Sequence, residues 1–109
     1  MGFEVSFPCL VKVRSKMTTE KEKEYFLSML LNLFLNPLPK DSNRVFIDLG
    51  EDGSNVTLEL AEALWIAKEV TLREHTIVFL DRRGEIKKTL NCYKGIGDSF
   101  SYISDANEI

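Results

Sequence analysis

One histidine, two cysteines and one tryptophan are all that 109 residues hold of three side chains on which much site chemistry depends. A zinc centre takes about four ligands, and His75 with the scattered thiols Cys9 and Cys92 does not make such a set. The thiols form no C-x-x-C pair and are too sparse for a disulfide framework, so buried, reduced cysteines are expected. His75 comes with no partner that would make it a general base, and a structural or surface role is expected of it. A basic surplus is also missing. Lysine and arginine number 14 against 17 acids, a net charge of −3, whereas phosphate neutralisation supplies much of the affinity of nucleic-acid binders; nucleic acid is not expected as a partner. No apolar run approaches the ~20 residues that span a bilayer. The longest, residues 25–35, is interrupted by Ser28 and Asn32. The first 13 residues alternate and carry charge where the apolar region of a secretion signal would run. These absences predict a cytoplasmic chain without direct membrane insertion. Repeats, low-complexity stretches and linkers are missing too, which predicts a single domain over residues 1–109.

What is present suits a packed core. The content is 44% hydrophobic and 28% charged, in the range of globular domains and away from that of disordered chains. Residues 3–14 alternate in part through Val5, Phe7, Leu10, Val11 and Val13, which predicts an extended edge strand broken at Pro8, since proline donates nothing to a ladder. Thr18 and Thr19 precede Glu20, Glu22 and Glu24. Hydroxyls followed by acids satisfy and complement the free N–H groups of a helix start, and the helix is expected to run to about Asn36, where Pro37 and Pro39 end it. Its polar stripe, Lys21, Glu24, Ser28 and Asn32, is narrow. The sheet therefore covers it deeply, or part of it serves an interface.

Residues 44–49, Arg-Val-Phe-Ile-Asp-Leu, form a nearly continuous apolar run between turns, as does His-Thr-Ile-Val-Phe-Leu at 75–80. Such runs fit parallel strands buried on both faces. Thr57 is placed to cap a long helix to about Glu74, with Glu59 and Glu62 in its first turns, an apolar face of Leu60, Leu64, Ala67 and Val70, and an i,i+4 pair of Glu69 with Arg73. Trp65 is expected to pack, with a flank left open. A short helix over 85–93 ends near Gly95, a last strand covers 99–103, and Ser104 and Asp105 are positioned to cap a final helix. Strand and helix alternate from Arg44 onward, which predicts βαβ units and a mixed, mostly parallel sheet of four or five strands with flanking helices: an α/β fold.

Candidate chemistry is thin. The loop Gly-Glu-Asp-Gly-Ser-Asn at 50–55 lies between a strand and a helix, where α/β folds bind phosphates. It matches neither G-x-G-x-x-G nor the P-loop, has no following lysine, and its two acids repel phosphate. Asp48 ends a buried-type strand; a carboxylate there serves catalysis or metal binding, or else accepts hydrogen bonds from loop amides, the reading preferred here. Lys12, Arg14 and Lys16 alternate on one solvated face. No catalytic residue, metal or cofactor is assigned.

The "V-F-I-D-L" strand, the helix starting about eight residues later, the "I-V-F-L" strand, the short helix, "Gly-Ile-Gly-Asp-Ser-Phe" and the closing "Ile-Ser-Asp-Ala-Asn-Glu" together resemble the STAS domain of bacterial anti-sigma-factor antagonists. Gly95, Ile96, Phe100 and Ala106 fit the family's approach to its last strand and final helix. The likeness covers about two-thirds of the chain by motif and the rest by element order. It implies a non-catalytic regulatory module that binds a kinase-type anti-sigma factor, released when the partner phosphorylates a hydroxyl in an Asp-Ser-Ser/Thr-Gly motif at a helix start. A gapless match lays that motif on Val56-Thr57-Leu58-Glu59. Leu58 then stands at the modified position and Thr57 one place before it; a shift of one residue puts Thr57 on it, and Ser54 is close by. The aspartate and glycine of the motif are absent. Asp52, Ser54, Asn55, Thr57, Leu58 and Glu62 are the expected partner contacts, with Thr57 and Ser54 the candidate phosphorylation sites. The alternatives are a constitutively bound STAS subunit of a transport ATPase complex and, from another class, a small nucleotide-binding α/β protein.

Overall fold

A computed structural model of the chain describes residues 3–6, 10–35, 44–50, 53–71, 76–105 and 107. Among the described residues, five strands form one sheet in the order β1-β2-β3-β4-β5: Phe3–Ser6, Leu10–Val13, Arg44–Asp48, Thr76–Leu80 and Ser101–Ile103. The β1–β2 pairing is antiparallel and the other three are parallel. The sheet is thus mixed and mostly parallel, as the alternation of elements predicts. Three helices, α1 (Glu20–Leu35), α2 (Leu58–Thr71) and α3 (Glu85–Asn91), connect the parallel strands, and a 3-10 turn over Ile96–Ser99 follows α3.

The first segment departs from expectation. It is a hairpin of two strands, not one edge strand with a break: Phe3 pairs with Val13 and Val5 with Val11, so the apolar side chains of both strands share a face. Partial alternation looks the same in one interrupted strand and in two that fold back, because a side-chain period of two carries no sense of direction. Residues 7–9, with Pro8 and Cys9, lie outside the described residues, as do His75, Arg73, Pro37, Pro39 and Ala106.

The helices form one layer. Val11, Val13, Val45, Ile47, Ile77 and Phe79 alternate on one side of the sheet and share a core with Phe26 and Leu30 of α1, Leu60, Leu64 and Ala67 of α2, and Ile86 and Leu90 of α3. Phe46, Val78 and Leu80, on the strand positions between, are buried as well. Burial on both faces explains why β3 and β4 read as continuous apolar runs.

The helix starts follow their capping residues. Thr19 Oγ1 accepts a hydrogen bond from the Glu22 N–H at 3.1 Å and donates to the Glu22 carboxylate at 3.0 Å, and that carboxylate also accepts from the Thr18 N–H. The threonine hydroxyl thus satisfies a free N–H group of the first turn, and the carboxylate reaches back to the residue before the cap, close to the reciprocal arrangement of a capping box. For α3 the acceptor is Asp81, which no sequence reading identified. Its carboxylate is buried and accepts from the Ile86 and Lys87 amides, both at 3.1 Å. Gly84, with φ of 76°, provides the left-handed turn that brings the helix start back over it.

The end of α3 is tied to β5. Asn91 accepts from the Asp98 N–H at 3.1 Å. A Cβ on Gly97 would stand 2.6 Å from the Lys87 carbonyl oxygen, so only glycine fits there. The half-buried Tyr102 donates its hydroxyl to the Gly97 carbonyl. Burial, and then the negative charges of Asp81 and Asp98, push its phenol well above the ordinary tyrosine range. In the unfolded chain the phenol ionises near pH 10. The folded state therefore holds the proton more tightly. The resulting stability is complete below pH ~10 and declines as pH rises through the higher folded value. Thermal unfolding between pH 9 and 11 should show a steeper loss of Tm for the wild type than for Tyr102→Phe, and parallel profiles would contradict this account of the phenol. Near neutral pH the Phe variant should be less stable by about 1 kcal/mol, the worth of one hydrogen bond.

Candidate functional site

The β3–α2 loop and the start of α2 hold most of the residues expected to contact a partner. Asp48 Oδ1 accepts from the Gly50 N–H at 2.9 Å, which closes the loop's first turn. The preferred reading of this carboxylate, as an acceptor for loop amides, describes what it does. Gly53 is buried with φ of 73°, and a Cβ there would lie 2.7 Å from Thr89 Oγ1 of α3. Thr89 in turn donates to the Glu85 carbonyl at 2.7 Å. Asn55 turns inward and donates its amide to the Val13 carbonyl at 3.0 Å and the Leu49 carbonyl at 3.5 Å. The loop is therefore seated against α3 at one point and against β2 at another. Asp52 lies outside the described residues.

Thr57 caps α2 as expected: its Oγ1 accepts from the Leu60 N–H at 3.2 Å, and it is half-buried. Ser54 is exposed. Leu58, the first helical residue, is 56% exposed. Glu62 follows one turn later and is also exposed. It lies 3.8 Å from Lys23 of α1, which binds Glu20 more closely at 3.1 Å. The Glu20 hydrogen bond, opposed by desolvation and helped by the charges of Glu20, Glu62 and Glu24, holds the Lys23 ammonium above its ordinary range.

One expectation for α2 needs correction. Val70 is 57% exposed and does not join Leu60, Leu64 and Ala67 beneath the helix. At 3.6 residues per turn it lies roughly 60° further round than Ala67, at the margin of the buried arc. Trp65, expected to pack with a flank left open, is 43% exposed, and the Lys68 ammonium stands 4.9 Å from its ring centroid. The arc beneath α2 is filled by Leu60, Ala61, Ala63, Leu64 and Ala67, and the indole falls outside it. Cys92 also departs from expectation. It is an exposed free thiol whose Sγ lies 3.6 Å from the Lys88 carbonyl oxygen.

These exposed groups meet in a feature that sequence reasoning missed. A trough of about 590 Å³ runs between α2 and the segment after α3. Leu58, Trp65 and Ile66 form one wall, Cys92 and Lys94 the other, and Ala61, Tyr93 and Ile96 the floor. Lys94 and Gly95 are both left-handed, with φ of 57° and 72°, and this double turn carries the chain from α3 back beneath α2 at the buried Ile96. The i, i+4, i+7 spacing of Leu58, Glu62 and Trp65 was a signal for a shared face; the opposite wall comes from residues some thirty positions away. Among the described residues no group of three or more His, Cys, Asp or Glu is placed to hold a metal ion, and no helix is long and apolar enough to cross a membrane.

No family model matches the chain, and neither a curated protein nor a solved structure matches it.

The seating of the loop predicts measurable costs. Gly53→Ala should destabilise the fold by about 1–3 kcal/mol, through overpacking against Thr89 and a left-handed backbone that alanine disfavours. Asn55→Ala should cost about 1–2 kcal/mol by leaving two carbonyls without their donor. Urea unfolding of both variants checks this; values near zero for either would mean that the loop is not held by that contact.

Proposed function

We propose that this chain is a non-catalytic protein-binding module of the STAS kind. In this reading it binds a kinase-type anti-sigma factor through the start of α2 and the trough beside it. The observation that carries the proposal is the outward face of α2, where Leu58, Trp65 and Ile66 are exposed together beside a trough with an apolar floor. Contiguous exposed apolar side chains rimmed by charge mark interaction surfaces more often than isolated ones do, and aromatic anchors dominate binding energy in such patches. The five-stranded, mostly parallel sheet with its helix layer is compatible with the resemblance. The contacts proposed on this surface are Ser54, Thr57, Leu58 and Glu62, together with Asp52 and with Asn55 through whatever its inward-turned amide leaves open.

A second reading is a constitutively bound subunit of a transport ATPase complex. The state of Thr57 favours it over a phosphorylation switch at that residue: the hydroxyl is half-buried and already accepts the Leu60 N–H. Ser54, exposed in the same loop, is then the better acceptor if a switch operates.

Affinity capture from the source organism's lysate with the wild type and with Leu58→Asp separates these possibilities. An aspartate at the first helical position is compatible with the positive end of the helix dipole, so Tm should change by no more than about 3 °C. The wild type should retain an ATPase that the variant loses, with binding weakened by about tenfold or more. Phosphate on Ser54 or Thr57 of the recovered chain points to the anti-sigma partner, and a transporter ATPase without phosphate to the second reading. Equal retention by both proteins would remove the proposed surface.

A further inference from the structure

We infer that a second copy of this chain docks on the β1 edge, so that the two β1 strands pair antiparallel about a two-fold axis and the two sheets become one. Two observations meet at this edge, both apart from the outward face of α2. The first is the main chain. Among the described residues β1 pairs with β2 alone, so the N–H and C=O groups that alternate residues of Phe3–Ser6 aim away from β2 have no ladder partner. An extended backbone is what satisfies such a row, and the occupant is therefore a strand. The second is the groove beside that edge. About 760 Å³ lies between β1 and α1, walled by Phe3 and Val5 on the strand and by Tyr25, Met29 and Leu33 on the helix. Val5 is 44% and Tyr25 53% exposed. Lys23 of α1 reaches toward Glu62 of α2, whereas Tyr25, two residues on, lies about 200° further round the helix and serves this other flank.

The pattern that the edge calls for is the pattern of β1 itself. A strand added there sends alternate side chains toward the helix layer, where the groove is apolar, and the others to the opposite face. Phe3 and Val5 share the helix side with Val13 and Val11, their partners in β2, and Glu4 stands on the other face with Lys12. The groove selects no sign of charge, since its ionised residues on α1, Lys21 and Glu24, are opposite, and Glu4 is bonded to Arg14. A two-fold interface needs a patch that complements itself. An axis at Val5 sets Val5 of one copy against Val5 of the other and Glu4 against Ser6, so apolar meets apolar and no like charges are opposed. An axis at Glu4 would set two carboxylates directly across from each other, which cross-strand pairs disfavour. Lysine and proline, which commonly block pairing at the edges of monomeric sheets, are missing from Phe3–Ser6, and its register with β2 runs without a bulge.

Sedimentation of the full chain over a range of concentrations tests this. The wild type should dimerise by about 100 μM. Val5→Lys, which places like charges at the axis, should weaken the dimer about tenfold or more, with a circular dichroism spectrum that matches the wild type. Leu58→Asp, on the outward face of α2, should leave the dimer unchanged, so the outcome is separate from that of the proposed partner surface. Disulfide trapping reads the register in a chain carrying Cys9→Ser and Cys92→Ser. There Val5→Cys should give a covalent dimer on mild oxidation and Glu4→Cys should not, because a pair directly opposed across two strands falls within disulfide reach. A wild type that stays monomeric, or a dimer that survives Val5→Lys or is lost in Leu58→Asp, would overturn the inference. Trapping by Glu4→Cys in place of Val5→Cys would overturn the axis at Val5. A monomeric wild type that retains another protein, lost in Val5→Lys, would assign the edge to that protein instead.

Discussion

The burial of Leu60, Ala61, Ala63, Leu64 and Ala67 beneath α2 decides where every other side chain of that helix points. Three alanines let the helix lie close to the sheet and to its neighbour α1, and the two leucines fill the remaining space as close-packed interiors require. A helix seated over so wide an arc has only a narrow outward strip. On that strip stand Leu58, Glu62 and Trp65, with Ile66 at its edge. The core thus explains an exposure that it does not itself contain: the apolar groups that cannot fit beneath α2 are left on the surface together.

The loop that precedes α2 depends on the same arrangement. Gly53 lies against Thr89 of α3, Asn55 bonds the ends of β2 and β3, and Thr57 caps the helix. Each contact joins a different element to the start of α2, so the exposed Leu58 is presented from a fixed base. On the far side, Asp81 caps α3 and Asn91 holds the 3-10 turn that returns the chain under α2. The two walls of the trough are consequently anchored in one core, and a surface held this way has little ordering left to lose.

Much of the fold was legible because local patterns and tertiary burial agree. The apolar runs of β3 and β4, the threonines before α1 and α2, and the alternation that implies a parallel sheet all correspond to what these residues do. The hairpin of β1 and β2 was not legible, since its alternation does not encode a reversal. Asp81 was missed although Asp-Arg-Arg-Gly carries a signal: an acid three residues before a glycine, where the chain can turn back over the carboxylate. The trough was beyond the reach of local reasoning. Trp65 and Ala61 differ on the helix by a modest rotation, yet one is exposed and the other buried, and only the path of the chain after α3 decides which. Lys94 in a left-handed backbone gives no sequence signal, because glycine or asparagine is the residue that announces such a turn.

The claim on which the functional account stands is that the outward face of α2 meets a protein partner. Site-specific photocrosslinking in cells of the source organism tests it most directly, with the photoreactive residue placed at position 65 and, as a control, at position 28 on the polar stripe of α1, where Ser28 is also exposed. The account predicts a discrete protein adduct from position 65 that position 28 does not give. The same adducts from both positions, or none from position 65, would contradict it.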